Sequence, residues 1–393
     1  MDQLKAPLNP CSLESLPAPV EIDDNDKVWP VIVSCYELQS DGSRTGHMDL
    51  FSVRVPTLPT GKLQFGSPHT MESGQSGILD GKWFPKYATE TKEWWYATAR
   101  SSGELCVHTI RLSDDPNSSC PFHTMPFQAR ARLGENDLDS SPNTAEELGS
   151  GKPTTGATRA LCLALNWDTS SETQSHGVTP RIVSSYSNGM VAIHRVTRGE
   201  TENTPILMEQ ESWLAHKLFG DTPAEVWSCS FAAQGKIVIS GGDDGKAKFW
   251  DATSTMRPMQ VRQDFDAGVT VISTHPRKEH LVAIGSYDET IAIYDVRYAT
   301  QTLLNRSEPL GGGIWRIQWH PADDDRMLVA AMHGGCRVID LAWSDSYPSF
   351  QVVIGFTEHE SMAYGADWLV HGQLEAAASC SFYDRAMFLW STK

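Results

Sequence analysis

His333 is a histidine whose setting points to chemistry rather than framework. It lies in the turn Met332-His333-Gly334-Gly335, at a position where three sister segments carry aspartate. An imidazole left free at a loop-bearing rim changes charge near neutral pH and can take a proton, so His333 is the candidate general base. A second constellation points to binding. Trp227, Trp315 and Tyr364 each follow the first apolar anchor of an inner strand, so they share one register and can converge on a pore mouth. Such rings would hold a quaternary ammonium group by cation–π attraction, worth about 0.5–2 kcal/mol each.

Other reactive motifs are missing. The nearest string to a nucleophile elbow, Ser73 to Gly77, lacks the strand-to-helix context that exposes such a serine. No glycine-rich loop of dinucleotide or P-loop type follows a strand. The eight cysteines, at 11, 35, 106, 120, 162, 229, 336 and 380, form no CxxC pair and read as reduced thiols, so neither a zinc site nor a disulfide framework is expected.

The elements that must position these residues are repeats. IVISGGDDGKAKFWD (237–251), VAIGSYDETIAIYD (282–295), LVAAMHGGCRVID (328–340) and AAASCSFYDRAMFLW (376–390) are versions of one another. Each is a small apolar strand, a turn, and a second strand ending six residues past the turn residue: Asp244 to Trp250, Asp288 to Tyr294, His333 to Ile339, Asp384 to Trp390. A hairpin recurring about every 40–50 residues is the mark of a WD-repeat propeller, one four-stranded blade per repeat. Weaker versions at 32–53, 99–110 and 186–196 bring the count to seven. Inner strands such as GILDGKWFP, EVWSCSF and GGIWRIQWHP precede the hairpins where they belong.

In such propellers a hydrogen-bonded relay runs from a histidine before the inner strand to the turn aspartate and the tryptophan of the third strand. His359, Asp384 and Trp390 fill these positions in the last blade, and His216, Asp244 and Trp250 in the fourth, whose loop is about six residues longer. The sixth blade has Leu310 and Ile339 in place of the histidine and tryptophan, which leaves His333 without a relay. The last blade ends at its third strand, so its outer strand must come from the N-terminal segment, with Leu13–Ile22 the expected donor. The expectation is all-β: a seven-bladed WD40 β-propeller closed by the N-terminal segment, one domain over 1–393.

Composition narrows the partners. A net charge of −17 opposes direct binding of nucleic acid and favours a protein partner with a basic patch. No run approaches the roughly 18 apolar residues of a membrane span, and the N-terminus has no apolar leader, so a cytoplasmic monomer is expected. Gly134–Ala157 is polar and small in composition and reads as a flexible insertion.

The strings WRIQWHP (315–321), AAMHGG (330–335), YGADW (364–368) and CSFYDRAMFLW (380–390), with the more generic SGGDDG and GSYDE, resemble the WD-repeat diphthine methyltransferase family from about Val31 to Trp390. That family, despite its name, is understood as the diphthine methyl ester hydrolase of diphthamide biosynthesis. The resemblance implies hydrolysis of the methyl ester on a modified histidine of translation elongation factor 2, with no cofactor. It also gives the aromatic wall a ligand, because the substrate carries a trimethylammonium group beside the ester. On that footing water, or the hydroxyl of Ser361 or Ser381, attacks the ester while His333 takes the proton. Arg316 is expected to steady the oxyanion, and Asp367 or Asp384 to orient the base or the ammonium. The competing expectation is a non-catalytic WD-repeat scaffold presenting partners to a larger complex.

Overall fold

Short apolar runs bounded by turns need burial on both faces, and a ring of stacked sheets supplies it. In the computed structural model, strands between Asp2 and Ser391 form seven antiparallel sheets whose inner strands touch in a closed circle around a central channel. The structure describes residues 1–23, 26–56, 61–85, 93–113, 120–125, 129–133, 160–169, 179–198, 205–297 and 302–393. The insertion expected at 134–157 lies outside the described residues.

The seven inner strands are Asn9–Ser15, Ile78–Trp83, Cys162–Trp167, Val226–Ala232, Val269–Thr274, Arg316–Trp319 and Ala363–His371. The four strong repeats form the second and third strands of blades 4 to 7, for example Leu281–Ser286 with Ile291–Asp295. The weaker repeats do the same in blades 1 to 3.

The core lies between blades. In blade 5, Ala283, Ile291 and Ile293 pack against blade 6, while Val282, Ile284, Ala292 and Tyr294 pack against blade 4. Both faces of these middle strands are enclosed, which is why they read as continuous apolar runs. Blade 7 meets blade 1 in the same way, through Leu369, Ala378 and Met387 against Val31, Val33 and Phe51.

The N-terminal segment does close the ring, but the strand that does so is Asp2–Lys5, paired antiparallel with Ala386–Leu389. Leu13–Ile22 is not the donor. Asn9–Ser15 is instead the inner strand of blade 1, paired with Val31–Tyr36, and Val20–Asp23 folds back on Asp26–Leu38. Burial explains the difference. Ser12, Leu13, Glu14 and Ser15 are all enclosed, as an inner strand requires, whereas Asp2–Lys5 alternates between half-buried and exposed, as an outer strand does.

Candidate functional site

The mouth of the channel is shaped by a repeated irregularity. In six inner strands the register with the second strand slips by one residue, between Pro10 and Ser12, Ile78 and Asp80, Cys162 and Ala164, Val226 and Ser228, Val269 and Val271, and Ala363 and Gly365. A bulge of this kind re-aims the extra side chain. Trp227 and Tyr364 are two of the extra residues. Trp315 occupies the matching place in blade 6, its N–H donating to Ala330 O at 2.8 Å.

These three rings come together. Trp315 and Tyr364 stack with centroids 4.7 Å apart and planes 22° apart, and Trp227 stands 6.0 Å from Trp315. Tyr287 closes on Trp315 from blade 5 at 6.0 Å, and Phe382 joins Tyr364 to Tyr36 and Tyr383. Sequence reasoning missed these four additional aromatics. Two of them carried a signal: Tyr287 and Tyr383 each stand immediately before a turn aspartate, in GSYDE and CSFYD. The equivalent residues of blades 4 and 6 are Asp243 and Met332.

Turn residues proper point the other way, into the framework. In blade 4, His216 Nδ1 lies 2.8 Å from Asp244 Oδ1 and its Nε2 lies 2.8 Å from Ser240 Oγ, which also accepts the Trp250 indole N–H at 2.9 Å. In blade 7 the relay runs through two hydroxyls. His359 bonds Ser381 and Ser379 at 2.8 Å each, Ser381 donates to Asp384, and Trp390 donates to Ser379 at 3.0 Å. The His–Asp–Trp pattern therefore holds with a central serine, Ser240 or Ser379, that the pattern alone did not reveal. Ser381 is fully buried inside this relay, so it is unavailable as a nucleophile. Burial pushes His359 down to about 4 and lowers His216 as well, which keeps both imidazoles neutral.

His333 does stand apart. It is exposed and has no hydrogen-bond partner among the described residues. Blade 6 secures its turn by backbone packing instead: a β-carbon on Gly312 would stand 2.2 Å from Ala331 O and 2.8 Å from Gly334 N, so only glycine fits. Ser361 Oγ accepts the Tyr383 N–H at 3.2 Å. No hydrogen bond joins His333, Arg316, Ser361 and Asp367 to one another among the described residues, so the four do not form one preassembled catalytic group.

Arg316 and Asp367 belong to the channel below. Arg316 is buried, with Nη2 3.0 Å from Asp80 Oδ1 and Nη1 3.9 Å from Glu14 Oε1. A guanidinium so engaged is a poor match for the oxyanion role expected of it. Lys82 pairs with Glu14 across blades 1 and 2, and the Gln318 amide donates to Glu14 Oε2 at 3.2 Å. Asp367 Oδ2 accepts the Ser15 N–H at 2.7 Å and Oγ–H at 3.1 Å. Asp367 is half-buried, and burial followed by the charge of Glu14 pushes its carboxyl up to about 7. Asp80 and Lys82 alternate in ILDGKW, which was the available signal for a charged channel face. Among the described residues no group of three or more His, Cys, Asp or Glu side chains is placed to hold a metal ion.

Comparison with known proteins adds to this geometry. A family model described as "WD domain, G-beta repeat" matches residues 213–251. The "Diphthine methyltransferase homolog" of Dictyostelium discoideum is 32% identical over 247 residues, 58% of this chain and 62% of that relative, so the match spans less than two thirds of the relative's length. The "Diphthine methyltransferase" of Saccharomyces cerevisiae is 25% identical over an alignment covering 99% of this chain and 97% of the relative. A chain in the solved structure "Crystal Structure of Mitotic Checkpoint Complex" superposes with a TM-score of 0.59 at 14% identity, covering 99% of this chain and 93% of that one, a likeness of fold.

Proposed function

Because the chain belongs to the WD-repeat diphthine methyltransferase family, we propose that it removes the methyl ester from diphthine methyl ester on translation elongation factor 2, in the cytoplasm, during diphthamide biosynthesis. The observation that carries this reading is the aromatic mouth, in which Trp315 stacks on Tyr364 with Trp227 and Tyr287 alongside. Diphthine methyl ester presents a trimethylammonium group on the carbon next to the ester. Rings that hold the cation therefore also bring the ester to the rim.

The chemistry asked of the protein is modest. Water adds to the ester carbonyl, the methoxy group leaves as methanol, and a carboxylate and a proton remain. His333, exposed on the same rim and unpaired, takes the proton from the attacking water. Asp244 and Asp384 have no part in the reaction, since their relays commit them to the framework.

The test is direct. Full-length protein mixed with methyl-esterified elongation factor 2 should release methanol in proportion to ester lost, with no added metal or cofactor. Folded protein that releases none, while leaving the ester intact, would remove the hydrolase reading.

A further inference from the structure

Resting on the reading that the mouth holds a trimethylammonium group, we propose that Asp243 and Glu225 make the site prefer the ester over the acid that hydrolysis leaves, so that turnover itself weakens binding and expels the product. Asp243 stands at the position occupied by Tyr287 and Tyr383 in blades 5 and 7, immediately before the turn residue. Its exposed side chain has no hydrogen-bond partner among the described residues. Its carboxyl lies over Gly268, where an added β-carbon would meet Oδ1 at 3.3 Å, and the Gly268 carbonyl accepts the Tyr287 N–H at 2.9 Å. The carboxylate is thus exposed to solvent yet set beside the backbone that holds Tyr287 in the aromatic wall. Glu225 is held next to it, its carbonyl accepting the Asp243 N–H at 2.9 Å, two residues before Trp227.

The charges around this end of the mouth are unequal. Glu225 is raised by burial, then by Asp243, with the opposing effect of Arg44 smaller than either. Arg44 itself lies over the Tyr36 ring on blade 1, 5.9 Å from its centroid. Tyr287 is likewise raised by burial and then by Asp243. Glu225 and Tyr287 thus both feel the charge of Asp243.

A trimethylammonium ester enters the mouth carrying one positive charge. Hydrolysis leaves a carboxylate on the carbon next to the ammonium, so the bound group becomes a zwitterion whose new negative charge faces Asp243 and Glu225. The aromatic rings hold the ammonium before and after; only the carboxylates distinguish the two states. Exposed charge pairs of this kind contribute a few-fold each, so the two together should favour the ester by about fivefold.

Fluorescence titration of the full chain, with Trp227 and Trp315 as reporters, tests this with three small probes. Acetonyltrimethylammonium stands for the ester and cannot be hydrolysed, betaine stands for the acid, and methyl neopentyl ketone is the uncharged shape. Wild-type protein should bind acetonyltrimethylammonium about fivefold tighter than betaine at low salt, and the gap should shrink as salt is added. Asp243→Asn should narrow the preference and Asp243→Asn with Glu225→Gln should abolish it, while affinity for methyl neopentyl ketone stays unchanged. The single variant alters an exposed side chain and keeps the proposal testable if the double variant folds poorly. Retention of the full ester preference in a folded Asp243→Asn protein, or equal wild-type affinity for the ester and acid probes, overturns the proposal while leaving the aromatic site standing. If the ammonium probes bind no better than the ketone, the aromatic reading falls and this inference with it.

Discussion

Replacing Trp315 by alanine separates recognition of charge from recognition of shape. The Trp315 ring meets Tyr364 at 4.7 Å and both Trp227 and Tyr287 at 6.0 Å, so it is the centre of the mouth and a half-buried one. A ligand that loses this ring loses apolar contact whatever its charge: about 50 Å² of contact corresponds to roughly 1.2 kcal/mol. A cationic ligand loses in addition the attraction of the π face, about 0.5–2 kcal/mol. The difference between the two losses isolates the charge. Acetonyltrimethylammonium should weaken by about two- to thirtyfold more than methyl neopentyl ketone, since each 1.4 kcal/mol is roughly tenfold. Isothermal titration of wild type and Trp315→Ala with both ligands measures that ratio directly. Trp315→Phe should recover part of the charge-dependent affinity, because a smaller ring keeps a π face. Circular dichroism should show an unchanged fold, since the ring lines the mouth rather than an interblade core. Equal weakening of the two ligands would refute the cation site and reduce the aromatic cluster to packing.

The other expectations concern stability and catalysis. Trp250→Ala should destabilise the protein by about 3–5 kcal/mol in denaturant titration, because a buried ring 5.6 Å from Trp213 and its bond to Ser240 are both removed. An unchanged unfolding midpoint would mean that the blade 4 relay is not structural. His333→Ala and His333→Asp should leave the melting temperature unaltered and lower methanol release by about 10² to 10⁴; wild-type turnover in either variant would make His333 a bystander. Asp367 is pushed up to about 7, above the roughly 3.9 of an unfolded aspartate, so the folded state keeps a proton that the unfolded chain has lost between those values. Stability should therefore fall as pH rises from about 4 to about 7, by roughly 1–3 kcal/mol after allowing for the partial exposure of Asp367, and Asp367→Asn should flatten that fall. Matching urea midpoints for wild type and variant at every pH would rule the effect out.

The ring was readable because its hairpins repeat: the turn aspartate and an aromatic third-strand anchor recur in blades 4, 5 and 7, and the spacing survives in blade 6 although His333 and Ile339 replace both. What misled was blade 1. Its hairpin had no partner strand assigned, and the apolar alternation of Leu13–Ile22 suits an inner or an outer strand equally; only the enclosure of Ser12, Glu14 and Ser15 decides between them. The same limit applies at the site. Convergence of Trp227, Trp315 and Tyr364 followed from a shared register, because a bulge repeated from blade to blade sends corresponding side chains to one place. Ser240 and Ser379 stayed invisible because a serine in the middle of a strand carries no periodic signal. The pairing of Arg316 with Asp80 joins residues 236 apart in sequence, in blades with no local reason to be matched.

The first fifteen residues hold two positions at once, the outer edge of blade 7 through Asp2–Lys5 and the axial strand of blade 1 through Asn9–Ser15. Blades 2 to 6 each draw on one contiguous stretch of chain and can form as that stretch becomes available. Blade 7 cannot be completed, nor its face joined to blade 1, until residues near 389 reach residue 2. Contacts of such sequence separation are slow to form, so closure should be the last folding event and the step most exposed to misassembly. An amino-terminal fusion or a short deletion there would act less like trimming a tail than like cutting a clasp. Loss of Asp2–Lys5 would free one sheet edge, while loss of Glu14 would strip Lys82 of its partner in the channel and take a charge from beside Arg316 in blade 6.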